Sequence, residues 1–321
     1  MLGVQGSGYP ESGTWAASFG WRHQKSDKHF VGSEYQAERD HESSQVINDA
    51  NMVDLSLRYQ ATKRVELSLG VPYLMATRSQ PLRAADREII ERYQTQARGI
   101  GDVVFAARRW MLDPDTHAGG NLMFGLGVKL PTGANNVVDT FRVRSGETIS
   151  NQMRTVDQSI QPGDGGFGIM ADFSAFKGFS KASVYASGAY LANPGGTSRV
   201  LTYRSGAGEE IMSIADQYLL RAGVAVPVPK TTALSFSAGI RMEGVPVRDL
   251  LGSSDGFRRP GVAVSIEPSL NYVRGKHGVA VGLPFAVYRN RFVSVADEAR
   301  GRHGDAAFAD YLVMFGYSRR F

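Results

Sequence analysis

A period of two in hydrophobicity recurs along most of this chain and limits it to sheet structures. Its clearest example is the last segment, whose apolar side is formed by Tyr311, Val313, Phe315, Tyr317 and Phe321. Asp310, Gly316, Ser318 and Arg320 form the other side. Successive side chains of a strand point to opposite faces, so this segment has one apolar and one polar face. The same alternation predicts about twelve strands along the chain.

The connections between these segments alternate between long and short. The first predicted strand, 14–23, is followed by a long polar segment, 24–49, whereas only residues 62–64 separate the second strand from the third. Outer-membrane barrels have short periplasmic turns, longer external loops and an even number of strands. The sequence therefore predicts an all-β fold, a transmembrane antiparallel up-and-down β-barrel with both termini in the periplasm. Residues 1–12 are expected to be an N-terminal periplasmic segment, and residues 13–321 a single barrel.

Composition excludes several other classes of protein. The mean hydropathy is −0.22, and no run of apolar residues is long enough for a transmembrane helix. Cysteine is absent, which excludes disulfides and a cysteine nucleophile. The net charge of +5 comes from scattered basic residues, so no nucleic-acid partner is expected. Residues 1–10 lack the features of a signal peptide, and an exported chain would already have lost one.

Aromatic residues lie near both predicted ends of the strands. Those at the periplasmic ends are Trp15, Tyr59, Trp110, Tyr272 and Phe321. Those at the outer ends are Trp21, Tyr73, Tyr190, Tyr218, Tyr288 and Tyr311. Two aromatic girdles are typical of a barrel that spans a membrane. A soluble barrel with aromatic core residues at its strand ends is the competing interpretation.

The inward positions of the predicted strands carry charges of both signs among Ser, Gly and Ala. The residues predicted to line a solute path are Asp54, Arg58, Glu66, Lys129, Asp172, Arg221, Arg241, Glu243 and Glu267. A charge facing lipid at the midplane would cost about 2–4 kcal/mol, so these residues are expected to face the lumen. About twelve strands enclose a narrow lumen. It either conducts a small solute or is plugged by its own charge pairs.

Two predicted loops contain regular patterns. Residues 84–97 place Ile89, Ile90 and Tyr93 at near-helical spacing, which predicts a short helix over the barrel mouth, or a solvated excursion. Residues 137–149 alternate in polarity, which predicts that they extend their flanking strands beyond the membrane.

No catalytic motif is present. The chain lacks the Gly-x-Ser-x-Gly elbow, and His23 near Ser26 is its best candidate for a lipid esterase pair. No two histidines have metal-ligand spacing on a helix. We therefore expect a protein that is not an enzyme and that needs no cofactor or metal, with an outer-membrane esterase as the less favoured alternative.

Three glycine-rich segments resemble a known family. Gly99-Ile-Gly-Asp102 opens a strand, Gly127-Val-Lys-Leu-Pro-Thr-Gly133 closes the next, and Gly163-Asp-Gly-Gly166 opens the one after that. Together with Gly70-Val-Pro-Tyr73 they resemble the outer-membrane transporter family named for the meta-pathway of phenol degradation. The resemblance implies uptake of small hydrophobic or aromatic compounds. No ligand residues of that family transfer to this chain.

The end of the chain also predicts partners. The last strand resembles the C-terminal strand of outer-membrane barrels, in which a terminal Phe, here Phe321, is part of the signal to the barrel-assembly machinery. Outer-membrane lipid, lipopolysaccharide and a small-molecule solute are the other expected partners. The lipid-facing positions are uniformly apolar, which predicts a monomer.

Overall fold

The computed structural model describes residues 9–86, 88–231 and 233–321, so the first eight residues of the predicted N-terminal segment lie outside it. Within these ranges no helix combines the length and the apolar character needed to cross a bilayer. The helices are α1 (Glu38–His41), α2 (Val295–Ala299) and a 3-10 turn (Gln158–Ile160). The strands are β1 (Trp15–Val31), β2 (Glu34–Tyr35), β3 (Ile47–Gln60), β4 (Val65–Arg83), β5 (Ile89–Ile100), β6 (Val103–Trp110), β7 (Gly120–Leu130), β8 (Val138–Ser145), β9 (Thr148–Thr155), β10 (Gly168–Gly178), β11 (Ser183–Ala192), β12 (Thr197–Leu201), β13 (Ile211–Ser213), β14 (Gln217–Pro227), β15 (Leu234–Val245), β16 (Gly261–Arg274), β17 (His277–Gly282), β18 (Phe285–Arg291) and β19 (Ala306–Arg320).

Fourteen of these strands form one closed antiparallel barrel of twelve positions in the described chain. β5 and β6 occupy one position as an interrupted strand, and so do β17 and β18. Closure comes from the pairing of β1 with β19, which aligns Ala16 with Arg320 and His23 with Val313. The backbone N–H of Phe321 donates to the carbonyl of Trp15 at 2.8 Å. The predicted barrel, its approximate strand number and the pairing of its last strand with its first are confirmed.

Alternation of apolar and polar side chains explains why the sheet closes. On the outer wall Leu55, Leu126 and Ile240 are 52%, 69% and 60% exposed. On the inner wall Ser237 and Arg241 are each 5% exposed. A closed barrel has no unpaired edge, so every strand satisfies its backbone groups while its apolar face remains available to lipid.

The connections divide between the two ends of the barrel. The end that carries the tight links 61–64, 179–182 and 275–276 is called the turn end here. The opposite end, called the loop end, carries the segments 131–167 and 246–260 among others. Phe321 lies at the turn end, as does the start of β1.

The predicted helix over residues 84–97 is wrong. β4 instead continues to Arg83 and pairs with β5, so this region is a hairpin that projects beyond the loop end. Thr95 and Ala97 are buried while Gln94 and Gln96 are exposed, which is the period of a strand. The helical spacing of three apolar residues was overridden by this longer alternation.

Two further loop predictions are corrected. β1 continues to Val31 and β3 begins at Ile47, so much of the polar segment 24–49 is strand. Residues 137–149 do not extend their flanking strands, because within the described residues β8 pairs with β9 in a separate two-stranded hairpin. Alternating polarity predicts that a segment is a strand, but it does not predict which other strand pairs with it.

Candidate functional site

Seven of the nine predicted lumen residues lie in two clusters of ion pairs on different walls of the barrel. The first cluster surrounds Arg108 of β6. Its Nε donates to Asp172 Oδ1 at 2.8 Å, and its Nη1 lies 3.7 Å from Glu66. Glu66 also lies 3.8 Å from Arg58. Gly125 provides the room, since a Cβ there would lie 2.7 Å from the Asp172 carboxylate and 2.8 Å from the Arg108 side chain.

Arg108 was missed by the sequence analysis. It lies on the lumen face of β6 together with Ala106, and only 6% of it is exposed. The signal was available, because counting by two from Asp102 reaches position 108. Its contacts with Glu66 and Asp172 show that it links β4 with β10 across the inner wall.

The second cluster contains four predicted residues on β14, β15 and β16. Arg221 Nε donates to Glu267 Oε2 at 3.2 Å, and a second Arg221 nitrogen bonds to the other oxygen of the same carboxylate. Arg241 bonds to Glu243 at 2.6 Å and lies 3.7 Å from Glu267. Glu267 is 1% exposed, so its charge is neutralised by two arginines rather than by water.

A cavity of about 170 Å³ adjoins the first cluster. Its lumen-facing lining is polar at Asp54, Arg58 and Ser56 and apolar at Met170 and Pro72. Among the described residues, no hydrogen bond or ion pair joins Asp54 to a partner. A cavity of about 150 Å³ can hold benzene, so this volume suits one small ring. Asp54 is a predicted site residue that the structure places in a cavity rather than in an ion pair.

Lys129 is separated from both clusters and belongs to a structure called the neck here, formed by Asp102, Lys129, Gly133, Gly163 and Asp164. The Asp102 carboxylate accepts backbone N–H groups of Gly133 at 2.9 Å and Asp164 at 3.1 Å. Lys129 bonds to Asp164 and lies 3.6 Å from Asp102. The N–H of Gly163 donates to Ala134 at 2.9 Å.

The neck explains the glycine-rich segments of the sequence. A Cβ on Gly133 would lie 2.8 Å from the Cα of Gly163, and one on Gly163 would lie 2.6 Å from the carbonyl of Gly133. Only glycine allows two backbones to approach so closely. The three segments therefore meet at one point and close the base of the loop that contains β8 and β9.

The far part of that loop folds back into the loop end of the barrel. Val156 and Ile160 are fully buried against the inward-facing Leu74 and Ala76 of β4. Residues 156–161 are called the inserted segment here. Its sequence gave no periodic signal, because its burial depends on the barrel wall around it.

Asp157 fixes the inserted segment in place. Its carboxylate accepts two bonds from Arg259 at 2.8 Å and one from the Tyr203 hydroxyl at 2.9 Å, and it lies 3.5 Å from Arg78. Burial opposes ionisation of Asp157, yet Arg259 and Arg78 outweigh it and hold its pKa well below the usual value. Arg78 belongs to β4 and Arg259 precedes β16, so these contacts cross the mouth of the barrel.

The turn end of the lumen contains an aromatic cluster that corrects one girdle assignment. Trp110 lies two residues after Arg108 and therefore on the lumen face of β6, not in the lipid-facing girdle. Its ring packs against Tyr9 and Phe176 at centroid distances of 5.1 and 6.0 Å. Trp15 and Tyr59, by contrast, pack together on the outer wall.

The suggested esterase pair is not assembled. His23 Nδ1 lies 3.3 Å from the Asn51 side chain, whereas the Ser26 hydroxyl accepts from Gln24 at 2.8 Å. Within the described ranges, no cluster of His, Asp and Glu has the arrangement of a metal site.

Comparison with known proteins shows the fold of the chain. No family model matches the sequence, and no curated protein matches it. The crystal structure of an outer membrane channel from Pseudomonas putida F1 matches with a TM-score of 0.61 and 13% identity over 98% of both chains. The β domain of the Bordetella autotransporter BrkA gives a TM-score of 0.47 and 11% identity, over 97% of this chain and 100% of that one. The P. putida toluene transporter TodX gives 0.46 and 9%, over 98% and 91%. At 13% identity the match to the P. putida F1 structure shows the fold alone, and the chain has the fold of an outer-membrane β-barrel.

Proposed function

We propose that this protein is a channel of the bacterial outer membrane that carries small hydrophobic or aromatic solutes through its lumen. The observation that carries the proposal is a closed barrel with an exposed apolar outer wall and a polar inner wall that leaves a cavity unfilled. Such a wall is stable in lipid, and such a lumen is a path for solutes.

The orientation follows from the connections. The turn end, with its tight links and Phe321, is the periplasmic end, and the loop end faces outward. Phe321 then stands where the barrel-assembly machinery would recognise it. Lipid and lipopolysaccharide contact the outer wall, and the protein functions as a monomer.

The lining of the lumen supports a small amphipathic solute. Met170 and Pro72 offer apolar contact beside Asp54, Arg58 and Ser56 in the same cavity. Sites for small molecules combine apolar walls with a few polar groups that fix orientation. The glycine-rich segments that meet at the neck resemble the meta-pathway transporter family, and the matched P. putida F1 structure is named a channel. Both are compatible with this solute class.

Flux measurements test the proposal. The purified protein, reconstituted in liposomes, is expected to admit small aromatic compounds faster than protein-free liposomes do. Arg221→Ala and Glu267→Ala are expected to change ion selectivity in planar bilayers. Among the described residues, Arg221→Ala leaves Glu267 with only the 3.7 Å contact to Arg241, and Glu267→Ala removes the carboxylate to which Arg221 bonds. Absence of both flux and conductance would overturn the channel.

One observation favours a second candidate, a plugged barrel that serves as a scaffold or adhesin. The inserted segment occupies the loop end and is held by buried ion pairs. A permanent plug predicts that releasing Asp157 changes stability but opens no conductance. A gate predicts that the same substitution opens the channel.

A further inference from the structure

Two aromatic rings face the lumen at its turn end. Trp110 closes β6, and Phe176 lies near the end of β10 on the same face as Asp172. Their centroids are 6.0 Å apart and their planes meet at 87°. Edge-to-face pairs of this kind leave ring faces and edges available to a third ring. Arg108, which lines the lumen cavity, lies on β6 with Trp110. Its ion-pair partner Asp172 lies on β10 with Phe176.

The third ring comes from the segment before β1. Tyr9 meets Trp110 edge to face, with centroids 5.1 Å apart and planes at 90°. It lies 6.2 Å from Phe176. Its hydroxyl donates to the carbonyl of His117 at 3.0 Å. The Tyr9 ring therefore packs against both Trp110 and Phe176.

The segment that carries Tyr9 runs along the turn end of the barrel, from the end of β3 to the connection between β6 and β7. The N–H of Gly13 donates to the carbonyl of Gln60 at 2.7 Å, which ties the segment to the end of β3. Trp110 and Phe176 lie two and four barrel positions away from β3. With strands about 4.8 Å apart, this is roughly 10–19 Å along the wall. Within residues 9–13 the Ser12 hydroxyl also donates to the carbonyl of Ala61 at 3.1 Å, so the hydrogen bonds that join this segment to the barrel lie at its two ends.

We propose that Trp110 and Phe176 form a subsite for one aromatic ring of a solute, and that Tyr9 occupies this subsite until a solute displaces it. The subsite deepens the proposed function and rests on it, because it takes the aromatic members of the proposed solute class. Tyr9 is an internal competitor, whose ring makes the contacts that a solute ring would make.

Binding at Trp110 can be measured directly. The chain has three tryptophans, so Trp15→Phe with Trp21→Phe leaves Trp110 as the sole intrinsic tryptophan. Nitrobenzene, a neutral ring that quenches tryptophan, is the probe, and the protein is held in detergent. Tyr9→Ala is expected to tighten nitrobenzene binding by about two- to tenfold, the range that one aromatic contact supports. Phe176→Leu is expected to weaken binding in the Tyr9→Ala background.

Matched controls separate the ring from other effects. Tyr9→Phe keeps the ring and loses the bond to His117, so its affinity should stay near that of wild type. Benzyl alcohol should displace the probe better than cyclohexylmethanol, which has similar size but no aromatic ring. A variant that retains only Trp15, on the outer wall, reports partition of the probe into the micelle.

The proposal is overturned if Tyr9→Ala leaves the affinity unchanged, if Tyr9→Phe tightens binding as much as Tyr9→Ala, or if both competitors act equally. Liposome flux distinguishes failure of the proposed subsite from failure of the proposed channel function. Binding at Trp110 without flux refutes the channel and leaves the subsite, whereas flux without such binding refutes the subsite alone.

Discussion

Replacing Asp157 by alanine tests whether the inserted segment is a gate. The substitution removes two bonds from Arg259, one from Tyr203 and the ion pair with Arg78. Removing one partner of a buried ion pair costs about 3–5 kcal/mol, because the remaining charges lose their compensation. Arg78 keeps a bond to Asn48 at 2.9 Å, which favours the lower end of that range.

This cost falls on the state in which the segment is inserted. At about 1.4 kcal/mol per factor of ten, a loss of about 3 kcal/mol shifts the ratio of inserted to released states by about a hundredfold. Single-channel recordings in planar bilayers measure the ratio as open probability, which we expect to rise by a corresponding factor. Asp157→Ala combined with Arg259→Ala should add little to Asp157→Ala, because both remove the same pair.

Glu147→Gln is the matched control. Glu147 is an exposed acid at the tip of the β8–β9 hairpin of the same loop, and its replacement should leave the recordings unchanged. If Asp157→Ala remains folded by circular dichroism but its open probability stays within about threefold of wild type, the gate is refuted. The segment would then be a permanent plug.

Four further outcomes follow from the same contacts. Acid should open the wild-type channel only below the usual pKa of aspartate, about 3.9. The pKa of Asp157 is lowered in the folded protein, so its carboxylate stays charged and stabilises the inserted segment until the pH falls towards that lowered pKa. Asp157→Asn should abolish this dependence of conductance on pH. Asp102→Ala removes two charge-assisted bonds at the neck, about 3 kcal/mol, and should expose the β8–β9 hairpin to trypsin, whereas unchanged digestion would contradict the role of the neck. Arg108→Ala removes the ion-pair partner of Asp172 and one of the two arginines beside Glu66, and should lower the free energy of unfolding in urea by about 3–5 kcal/mol, more than Arg108→Lys does. Leu126→Arg should cost about 2–4 kcal/mol in the same assay if the outer wall faces lipid, whereas Leu126→Met should cost little.

Strand alternation was read correctly because it is local. Each strand needs only its own side chains to show which face is apolar, so Asp54, Arg58, Glu66 and Asp172 were placed on the inner wall from sequence. The same rule would have found Arg108. It failed for residues 84–97, where three apolar residues at helical spacing concealed a strand of the projecting hairpin.

By itself, the sequence determined the barrel, its approximate strand number, the pairing of its first and last strands, and the polarity of its two walls. These depend on side-chain periodicity and connection length, which are properties of neighbouring residues. Only the tertiary structure determined that Asp157 bonds to Arg259, that the glycine-rich segments pack together at the neck, and that Trp110 faces the lumen beside Tyr9. Those contacts join residues far apart in the chain, and their energies exist only once the closed barrel brings opposite walls together.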